Sequence, residues 1–274
     1  MPRDEVLKEL ELLPVWRPRA ASASVQPAIE VAPVAEPVLA APEIETAVAV
    51  IETEAETETS PVPAKPDVDV PLGESRRHSI MQMEWEALRE CVTNCQSCTL
   101  SKTRTQTVFG VGDPSADWLL VGEAPGVEED KRGEPFVGQA GKLLDNMLAA
   151  IQIKRGENVY IANVLKCRPP ENRDPHGDEV TQCDPFLKRQ VELIQPKLIV
   201  AMGRFAAQSI LNTEASISSL RGKLHDYNGV PVIVTYHPAY LLRNLPDKSK
   251  AWEDLCFARA TMRELQSAAP TPSN

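Results

Sequence analysis

The fold is decided by residues 118–144, which read Trp118-Leu-Leu-Val-Gly122-Glu-Ala-Pro-Gly126, then a charged run to Gly133, then Glu134-Pro-Phe-Val-Gly-Gln-Ala-Gly-Lys-Leu-Leu144. The continuous apolar run at the start is typical of a parallel strand that is buried on both faces. A loop rich in Pro, Gly and carboxylates follows, and a helix is predicted to begin near Gln139. Because open α/β sheets bind ligands at the carboxyl ends of their strands, this stretch predicts a binding site beside a strand end.

Three further apolar runs follow along the chain, and each precedes a segment with helical spacing of apolar residues. The predicted strands are Trp118–Val121, Val159–Val164, Leu198–Met202 and Val232–Thr235. The predicted helices are Gln139–Ile151, Asp178–Ile194, Arg204–Leu211 and Lys250–Gln266, preceded by a helix from Ser79 to about Val92. Alternating strands and helices indicate a parallel sheet between helical layers. We therefore expect an α/β fold: a three-layer αβα sandwich with a central four-stranded, mainly parallel sheet.

Polar or glycine-rich residues follow every predicted strand. Gly122 to Gly126 follows the first strand, Asn163 lies at the end of the second, Gly203-Arg204 follows the third, and Tyr236-His237 follows the fourth. The carboxyl ends of parallel strands meet at one edge of a sheet, so these residues are expected to line a single cleft.

Acidic charge is concentrated in the N-terminal part of the chain. The 274 residues carry a net charge of −10, and residues 1–76 alone contain 6 Lys/Arg and 15 Asp/Glu. Residues 21–75 contain no aromatic residue, and such a composition buries too little apolar surface to offset chain ordering. We expect a disordered linker over 21–76, a folded domain over 77–266 and a disordered C-terminus over 267–274. Residues 1–20 form a short amphipathic segment that suits docking to a protein partner, with a frayed terminus as the alternative.

The sequence argues against a membrane protein and against a disulfide-rich secreted one. No apolar run approaches the roughly 18 residues that a membrane span requires. The first residues lack the apolar core of a secretory signal. We therefore expect a cytoplasmic monomer with no membrane partner, in which the six cysteines serve as thiols, metal ligands or core residues.

Four of these cysteines have the spacing of a metal site, with a close pair at Cys95 and Cys98 and two distant residues, Cys167 and Cys183. A tetrahedral four-thiolate site needs this combination, and both zinc and an iron–sulfur cluster satisfy it. The alternative is that Cys167 is a core residue at a strand end and Cys183 a residue of a helix face.

Two cysteines remain outside this set. Cys91 extends the close pair to the three-cysteine spacing of radical S-adenosylmethionine enzymes. Those enzymes place the motif after the first strand of a barrel, whereas here it precedes the first clear strand, so we leave Cys91 unassigned. Cys256 lies in an apolar stripe of the last helix and is expected in the core.

Taken in order, these motifs resemble the iron–sulfur type (family 4) of uracil-DNA glycosylases, within the uracil-DNA glycosylase superfamily. The resemblance covers roughly residues 91–260. Five elements carry it: Gly122-Glu-Ala-Pro-Gly126, Pro135 to Leu144, Asn163 with Lys166-Cys-Arg-Pro-Pro170, Cys183, and His237-Pro-Ala-Tyr-Leu-Leu-Arg243. It implies uracil-containing DNA as the partner and a structural [4Fe–4S] cluster on Cys95, Cys98, Cys167 and Cys183.

The resemblance also implies a pocket for a base that has left the helical stack. Phe136 is expected to stack on the ring, and Asn163 to read the base edge, since an amide matches the N3–H and O4 of uracil. His237 is expected to hydrogen-bond the uracil O2 as negative charge develops. Gly122 and Ala124 would form the adjacent wall. The alternatives are a core Phe, a strand-end Asn and a capping His.

The resemblance does not assign the water-positioning role to one carboxylate, because the best-known branch of the superfamily has an Asp where this chain has Ala124. Glu123, Glu129 and Asp130 are the candidates to hold the water or to balance the sugar cation. Glu129 is a further candidate to exclude thymine by filling the space beside a 5-methyl group. The alternative is a solvated charge run.

Contacts to DNA are expected from three places. A helix N-terminus near Gln139 and Gly141 would point N–H groups at a phosphate or the pyrimidine. Tyr240 and Leu241, with Leu242, would fill the gap left by the flipped base, and Arg243 would meet a phosphate. Lys166 and Arg168, with Arg173, would extend a basic strip.

Three functions compete on these features. The first is a monofunctional, hydrolytic DNA-repair glycosylase that leaves an abasic site. The second is a non-catalytic, glycosylase-like adaptor that binds nucleic acid and recruits partners through its tail. The third is a zinc-binding nucleotide hydrolase. Because Arg168 to His176 lacks the basic motif of relatives that trap DNA covalently, we predict no covalent adduct.

Overall fold

The computed structural model describes residues 72–268. The docking segment predicted over 1–20, most of the linker predicted over 21–76, and residues 269–274 lie outside this range. Its helices, numbered in chain order, are α1 Leu72–Met81, α2 Trp85–Thr93, α3 Val127–Arg132, α4 Gln139–Ala150, α5 Gly177–Ile194, α6 Arg204–Leu211, α7 Ile217–Leu220, α8 Pro238–Arg243 and α9 Lys248–Ala268. Its strands are β1 Val111–Gly112, β2 Trp118–Gly122, β3 Val159–Asn163, β4 Leu198–Met202, β5 Leu224–Tyr227 and β6 Val230–Thr235.

The strands form one sheet in the order β1-β3-β2-β4-β6-β5. The four central strands are parallel, so the expected mainly parallel sheet is confirmed. The expected number of strands is wrong, because antiparallel β1 and β5 add an edge on each side. Neither edge strand has a continuous apolar run: β1 has two residues, and β5 alternates between exposed and half-buried residues.

Helices cover both faces of the sheet. On β2, Trp118 and Leu120 pack into a core with α4 and α9, whereas Leu119 and Val121 pack into a second core with α5 and α6. This alternation follows from the two-residue period of a strand. All five β2 residues are buried, as expected for a strand covered on both faces. The three-layer αβα arrangement is therefore confirmed.

A third core lies beside the sheet and contains the cysteines. Leu88 and Val92 of α2 pack with Phe186 of α5 around Cys167 and Cys183. Arg76 of α1 places its guanidinium 5.0 Å from the centre of the Phe186 ring. This third core joins the N-terminal helices to α5.

Several element boundaries differ from the sequence prediction. The single helix predicted from Ser79 to Val92 is two helices, because Glu84 is extended and begins α2 as its N-cap. α1 begins at Leu72, before the predicted domain start at 77, because Arg76 and Arg77 anchor it to α5. The charged run after Gly126 is helix α3, which ends at Gly133 in the left-handed conformation. Helix α3 has no apolar periodicity, so the sequence pattern does not predict it.

The last helix also differs from the prediction at two points. α9 ends at Ala268, two residues beyond the predicted end. Cys256 is exposed on it, so its predicted place in the core is wrong. Among the helices of residues 72–268, none combines the length and the apolar character needed to cross a bilayer.

Candidate active site and cysteine site

A cleft of about 780 Å³ opens at the carboxyl edge of the sheet. The loops after four strands contribute to its lining: Glu123 after β2, Asn163 at the end of β3, Arg204 after β4 and His237 after β6. Phe136 from the loop between α3 and α4 lines it as well. The structure therefore brings together most of the residues that the sequence assigns to a base pocket.

Phe136 has a strained backbone, with φ +55, which a bulky residue rarely adopts. Its loop is fastened from two sides. The Arg155 guanidinium donates to the carbonyl oxygens of Pro135 at 3.1 Å and Phe136 at 2.9 Å. Glu129 Oε1 accepts from the backbone N–H groups of Val137 at 2.9 Å and Gly138 at 3.0 Å. Backbone strain of this kind persists only where several surrounding contacts hold the residue in place. It is concentrated at functional sites.

Gly122 and Gly141 have no Cβ, and this leaves space for the ring and the backbone of Phe136. A Cβ on Gly122 would lie 2.6 Å from the Phe136 ring and 2.5 Å from Asn163 Oδ1. A Cβ on Gly141 would lie 1.8 Å from the Phe136 carbonyl oxygen. Gly122 and Gly141 are thus both buried against Phe136, and Gly122 does not itself line the cleft, although the sequence predicts that it does. The contact predicted between DNA and the backbone N–H groups near Gly141 stays a prediction.

Asn163 is buried at the cleft, and its Oδ1 has no hydrogen-bond partner within residues 72–268. A buried amide oxygen without a partner carries a desolvation cost of about 1–3 kcal/mol. A ligand that donates a hydrogen bond would remove that cost. The side chain therefore keeps its hydrogen-bonding capacity for something that enters the cleft.

His237 packs against Phe136 at the cleft, with ring centroids 5.4 Å apart. Its Nδ1 accepts a hydrogen bond from the backbone N–H of Ala239 at 3.1 Å, so the ring proton is on Nε2. Desolvation, helped by the nearby Arg243 cation, lowers the pKa of His237 to about 4. At neutral pH the residue is therefore a neutral imidazole whose Nε2–H is available as a donor.

Glu123 is the carboxylate with the clearest electrostatic signature in the cleft. Burial, with a smaller effect of Asp174, raises its pKa to about 7, and Arg204 opposes this shift. Arg204 also pairs with Asp174 at 3.0 Å across the cleft rim. Glu123 can therefore exchange a proton near neutral pH.

The other two candidate carboxylates have different positions. Glu129 lines the cleft while its Oε1 fastens the Phe136 loop, so it is well placed but already bonded. Asp130 is buried, and both of its oxygens accept from the Thr105 N–H at 3.0 Å. It does not line the cleft. The prediction that Asp130 is catalytic is therefore wrong; it fastens the segment after the cysteine pair to α3.

The residues predicted to contact DNA divide into two groups. Gln139 and Arg243 are exposed, and Arg243 lines the cleft mouth, while Arg168 is half-buried and donates to Asn172. Tyr240 lines the cleft with its hydroxyl on Asp247 at 2.6 Å. These four side chains remain candidates for DNA contact.

Two predicted DNA contacts are wrong because the side chains are buried. Leu241 is 1% exposed and packs in the core beneath α8, whereas its neighbour Leu242 is 42% exposed. On a helix, adjacent residues point in directions about 100° apart, so only one of the pair can face outward. Lys166 is also 1% exposed and donates to Asn163 O and Gln190 Oε1.

The four predicted metal-ligand cysteines converge beside the third core. Cys167 and Cys183 are buried, and Cys95 and Cys98 are half-buried. Cys167 is within electrostatic reach of Cys95 and Cys98, and Cys183 of Cys98 and Cys167. Burial raises the pKa of the Cys98, Cys167 and Cys183 thiols.

Cationic and N–H donors surround these thiols. Arg104 donates to Cys167 Sγ at 3.0 Å, and Arg76 lies 3.7 Å from Cys95 Sγ. The backbone N–H of Lys166 points to Cys183 Sγ at 3.5 Å. Within residues 72–268, no three His, Cys, Asp or Glu side chains are close enough to hold a single metal ion. Arginine and N–H donors directed at buried thiols favour their ionised form, which is the form that binds metals.

Several residues of the site were not predicted from the sequence. Arg155, Arg104 and Asp174 act through partners that lie 19 to 63 positions away, so no local pattern reveals them. Arg204, by contrast, is in the cleft as expected, because it follows a strand at the same edge as the other cleft residues. Its side chain lines the cleft beside Phe205.

The fold and the site together define a class: α/β proteins that receive a flat ring with polar edges at the carboxyl edge of a parallel sheet. A family model described as the uracil DNA glycosylase superfamily matches residues 109–256. The chain therefore belongs to the uracil-DNA glycosylase superfamily, as the motifs indicated.

Individual relatives narrow this assignment. The chain is 52% identical over 159 residues to a type-4 uracil-DNA glycosylase of Archaeoglobus fulgidus, covering 55% of this chain and 79% of that protein. It is 46% identical over 177 residues to the type-4 uracil-DNA glycosylase of Sulfurisphaera tokodaii, covering 62% and 80%. The type-4 uracil-DNA glycosylase of Thermotoga maritima is 47% identical over 161 residues, covering 58% and 83%.

Proposed function

We propose that this chain is a DNA-repair glycosylase that excises uracil from DNA by hydrolysing the N-glycosidic bond. The observation that carries the proposal is the buried Asn163 Oδ1, which has no hydrogen-bond partner among residues 72–268 and lies in the same cleft as Phe136 and the neutral His237. An adaptor that only held nucleic acid would gain nothing from leaving a buried amide unsatisfied. The type-4 relatives support the same reading.

Base recognition rests on two side chains. A base enters such a site only after it leaves the helical stack. Phe136 supplies a flat apolar surface, which replaces part of the stacking that the base loses. Asn163 accepts from N3–H and donates to O4 of uracil. Cytosine presents the opposite donor and acceptor at these positions, so the same amide in this orientation disfavours it.

His237 acts on the leaving group. Cleavage places negative charge on the departing uracil, and a donor aimed at that charge stabilises the transition state more than the ground state. The neutral ring donates Nε2–H to O2, because Nδ1 is occupied by the Ala239 N–H. A neutral donor suits this role because its proton stays on the imidazole when the uracil leaves as an anion.

Glu123 orients and deprotonates the attacking water. Its raised pKa makes it a stronger base than an exposed glutamate while leaving it largely ionised above neutral pH. As a carboxylate it also offsets the positive charge that develops on the sugar. Glu129 contributes indirectly by fastening the loop that carries Phe136, and its position in the cleft also suits exclusion of a 5-methyl group.

Cys95, Cys98, Cys167 and Cys183 are proposed to hold a [4Fe–4S] cluster. The convergence of the four thiols and the Arg104 and Arg76 donors around them support this assignment. When bound, the cluster supplies cross-linking rather than redox chemistry, because hydrolysis of the glycosidic bond requires no electron transfer. It would tie the loop that follows Asn163 to α5 and to the segment after α2.

The proposal is tested with the iron-loaded full-length protein and a single-stranded oligonucleotide that contains one uracil. Strand cleavage after alkaline treatment, confined to the uracil position, is the expected result. An otherwise identical oligonucleotide with thymine at that position should stay intact. No cleavage of the uracil strand by folded, iron-loaded protein would overturn the proposal. A denaturation-resistant protein–DNA adduct would overturn the simple hydrolytic mechanism.

A further inference from the structure

Lys166 is a buried cation for which the proposed mechanism has no direct use. Its side chain is 1% exposed, although a solvated lysine would be expected in a basic strip. Its Nζ donates to the main-chain oxygen of Asn163 at 2.8 Å and to Gln190 Oε1 at 2.6 Å. Gln190 is itself fully buried and donates to Phe109 O at 2.9 Å. The lysine thus ends a buried polar chain at the residue proposed to read the base.

The ammonium of Lys166 is costly to bury unless its N–H groups are hydrogen-bonded. Both acceptors on Nζ belong to fixed elements, since Asn163 O lies at the end of β3 and Gln190 Oε1 belongs to α5. Lys166 therefore connects the end of β3 to α5 through buried hydrogen bonds.

We infer that Lys166 is a positioning residue, which ties the end of β3 to Gln190 of α5 and so fixes the Asn163 amide. This inference rests on the proposed function. It explains why Lys166 faces inward while the neighbouring Arg168 is partly exposed.

The positioning role is tested by a double-mutant cycle between Lys166→Met and Asn163→Ala, with single-turnover uracil release as the readout. We expect Lys166→Met to lower the rate constant about 10- to 100-fold, since small displacements at a reacting site have effects of this size. In the Asn163→Ala background the same substitution should change it less than about 3-fold, because residues that act as a unit are not additive. An equal loss in both backgrounds would overturn the positioning role.

Gln190→Leu provides a second variant that keeps the lysine charge while removing one of its acceptors. It should lower uracil release about 3- to 10-fold and show the same dependence on Asn163. It decides the positioning question if Lys166→Met does not fold. Lys188→Met is the matched control, because Lys188 lies on the same helix, α5, and pairs with Asp184 at the surface. This control should match the wild type.

Iron-loaded wild type, measured in parallel, separates this inference from the proposed function. No uracil release by the wild type would overturn the proposed function. Release by the wild type, with losses for Lys166→Met and Gln190→Leu that are equal with and without Asn163, would overturn the positioning role alone.

Discussion

The base cleft and the cysteine site come within four residues of each other in the sequence, at Asn163 and Cys167. Their polar groups are nevertheless satisfied to opposite degrees. In the cleft, Asn163 Oδ1 has no partner among residues 72–268, and the Nε2–H of His237 is left available. In the cysteine site, the thiols are surrounded by the Arg104 and Arg76 guanidinium groups and a backbone N–H. The cleft keeps hydrogen-bonding capacity that a transient ligand can use, whereas the cysteine site concentrates positive charge around its thiols.

This contrast reflects two different uses of buried polar groups. Unsatisfied buried groups reduce stability, and a role in binding or catalysis is one reason for which they are retained. Donors aimed at buried thiols are useful where the thiols are ionised. Substitutions in the cleft should therefore change rates with little effect on stability, and substitutions in the cysteine site should do the reverse.

The largest expected effect comes from Cys183→Ser. Cys183 lies on α5 and is buried in the third core with α2, so loss of its thiolate should remove the proposed cluster and loosen that core. We expect loss of bound iron and of the brown colour, and a fall of several kcal/mol in the free energy of unfolding, because site formation and folding are coupled. Iron analysis and denaturant titration measure both. Cys256→Ser, at an exposed cysteine of α9, is the control and should retain iron. Full iron content in Cys183→Ser would contradict the assignment.

His237→Ala should give the next largest effect, and this effect should be on the rate of uracil release alone. Removing one donor to a developing anion costs about 100- to 1,000-fold in rate. Single-turnover release of uracil measures the loss, and a melting curve should stay close to that of the wild type. His78→Ala, at an exposed residue of α1, serves as the control. A large fall in melting temperature with an unchanged rate would reverse the expected contrast.

Glu123→Gln tests the general base through pH. Because burial raises the pKa of Glu123 to about 7, the ionised fraction and hence the rate should increase as pH rises through 7. His237 adds no limb near neutrality, since its pKa is lowered to about 4. The glutamine variant should be about 10- to 100-fold slower at pH 8 and lose this pH dependence. Glu128→Gln, on exposed α3, should keep the wild-type profile. If the rate of Glu123→Gln still increased as pH rises through 7, another group would be responsible for this pH dependence.

Arg155→Ala should give the smallest of these effects. Arg155 fastens the strained Phe136 loop through two carbonyl oxygens without lining the cleft. Strain of this type is worth about 1–3 kcal/mol, so release of the loop should lower kcat/KM by about 10-fold. Lys154→Ala, its exposed neighbour, is the control. A rate equal to the wild type would show that Glu129 and Gly141 suffice to fix the loop.

Much of the fold follows from local sequence pattern. The four central strands and the two-sided covering of the sheet are predictable because buried parallel strands leave continuous apolar runs, such as Trp118–Val121. The edge strands β1 and β5 are not, since one is two residues long and the other is half exposed. Helix α3 is held by charges and glycine at its ends rather than by an apolar stripe.

The site is predictable to the level of motifs but not of side-chain direction. Phe136, Asn163 and His237 share a cleft because strand ends share an edge. Lys166 and Leu241 were wrongly placed at the DNA surface, because residue type alone does not tell which way a side chain points. Lys166 turns inward toward Asn163 O, which is three residues away, and toward Gln190 Oε1, which is 24 residues away.

The most direct test of the central claim measures free uracil itself. Iron-loaded wild type and His237→Ala are incubated with uracil-containing DNA, and the released base is separated and quantified beside the abasic sites formed. The account predicts equal amounts of free uracil and abasic sites from the wild type, with release slowed about 100-fold or more in His237→Ala at the same iron content. No free uracil from iron-loaded wild type, or equal release by both proteins, would contradict it.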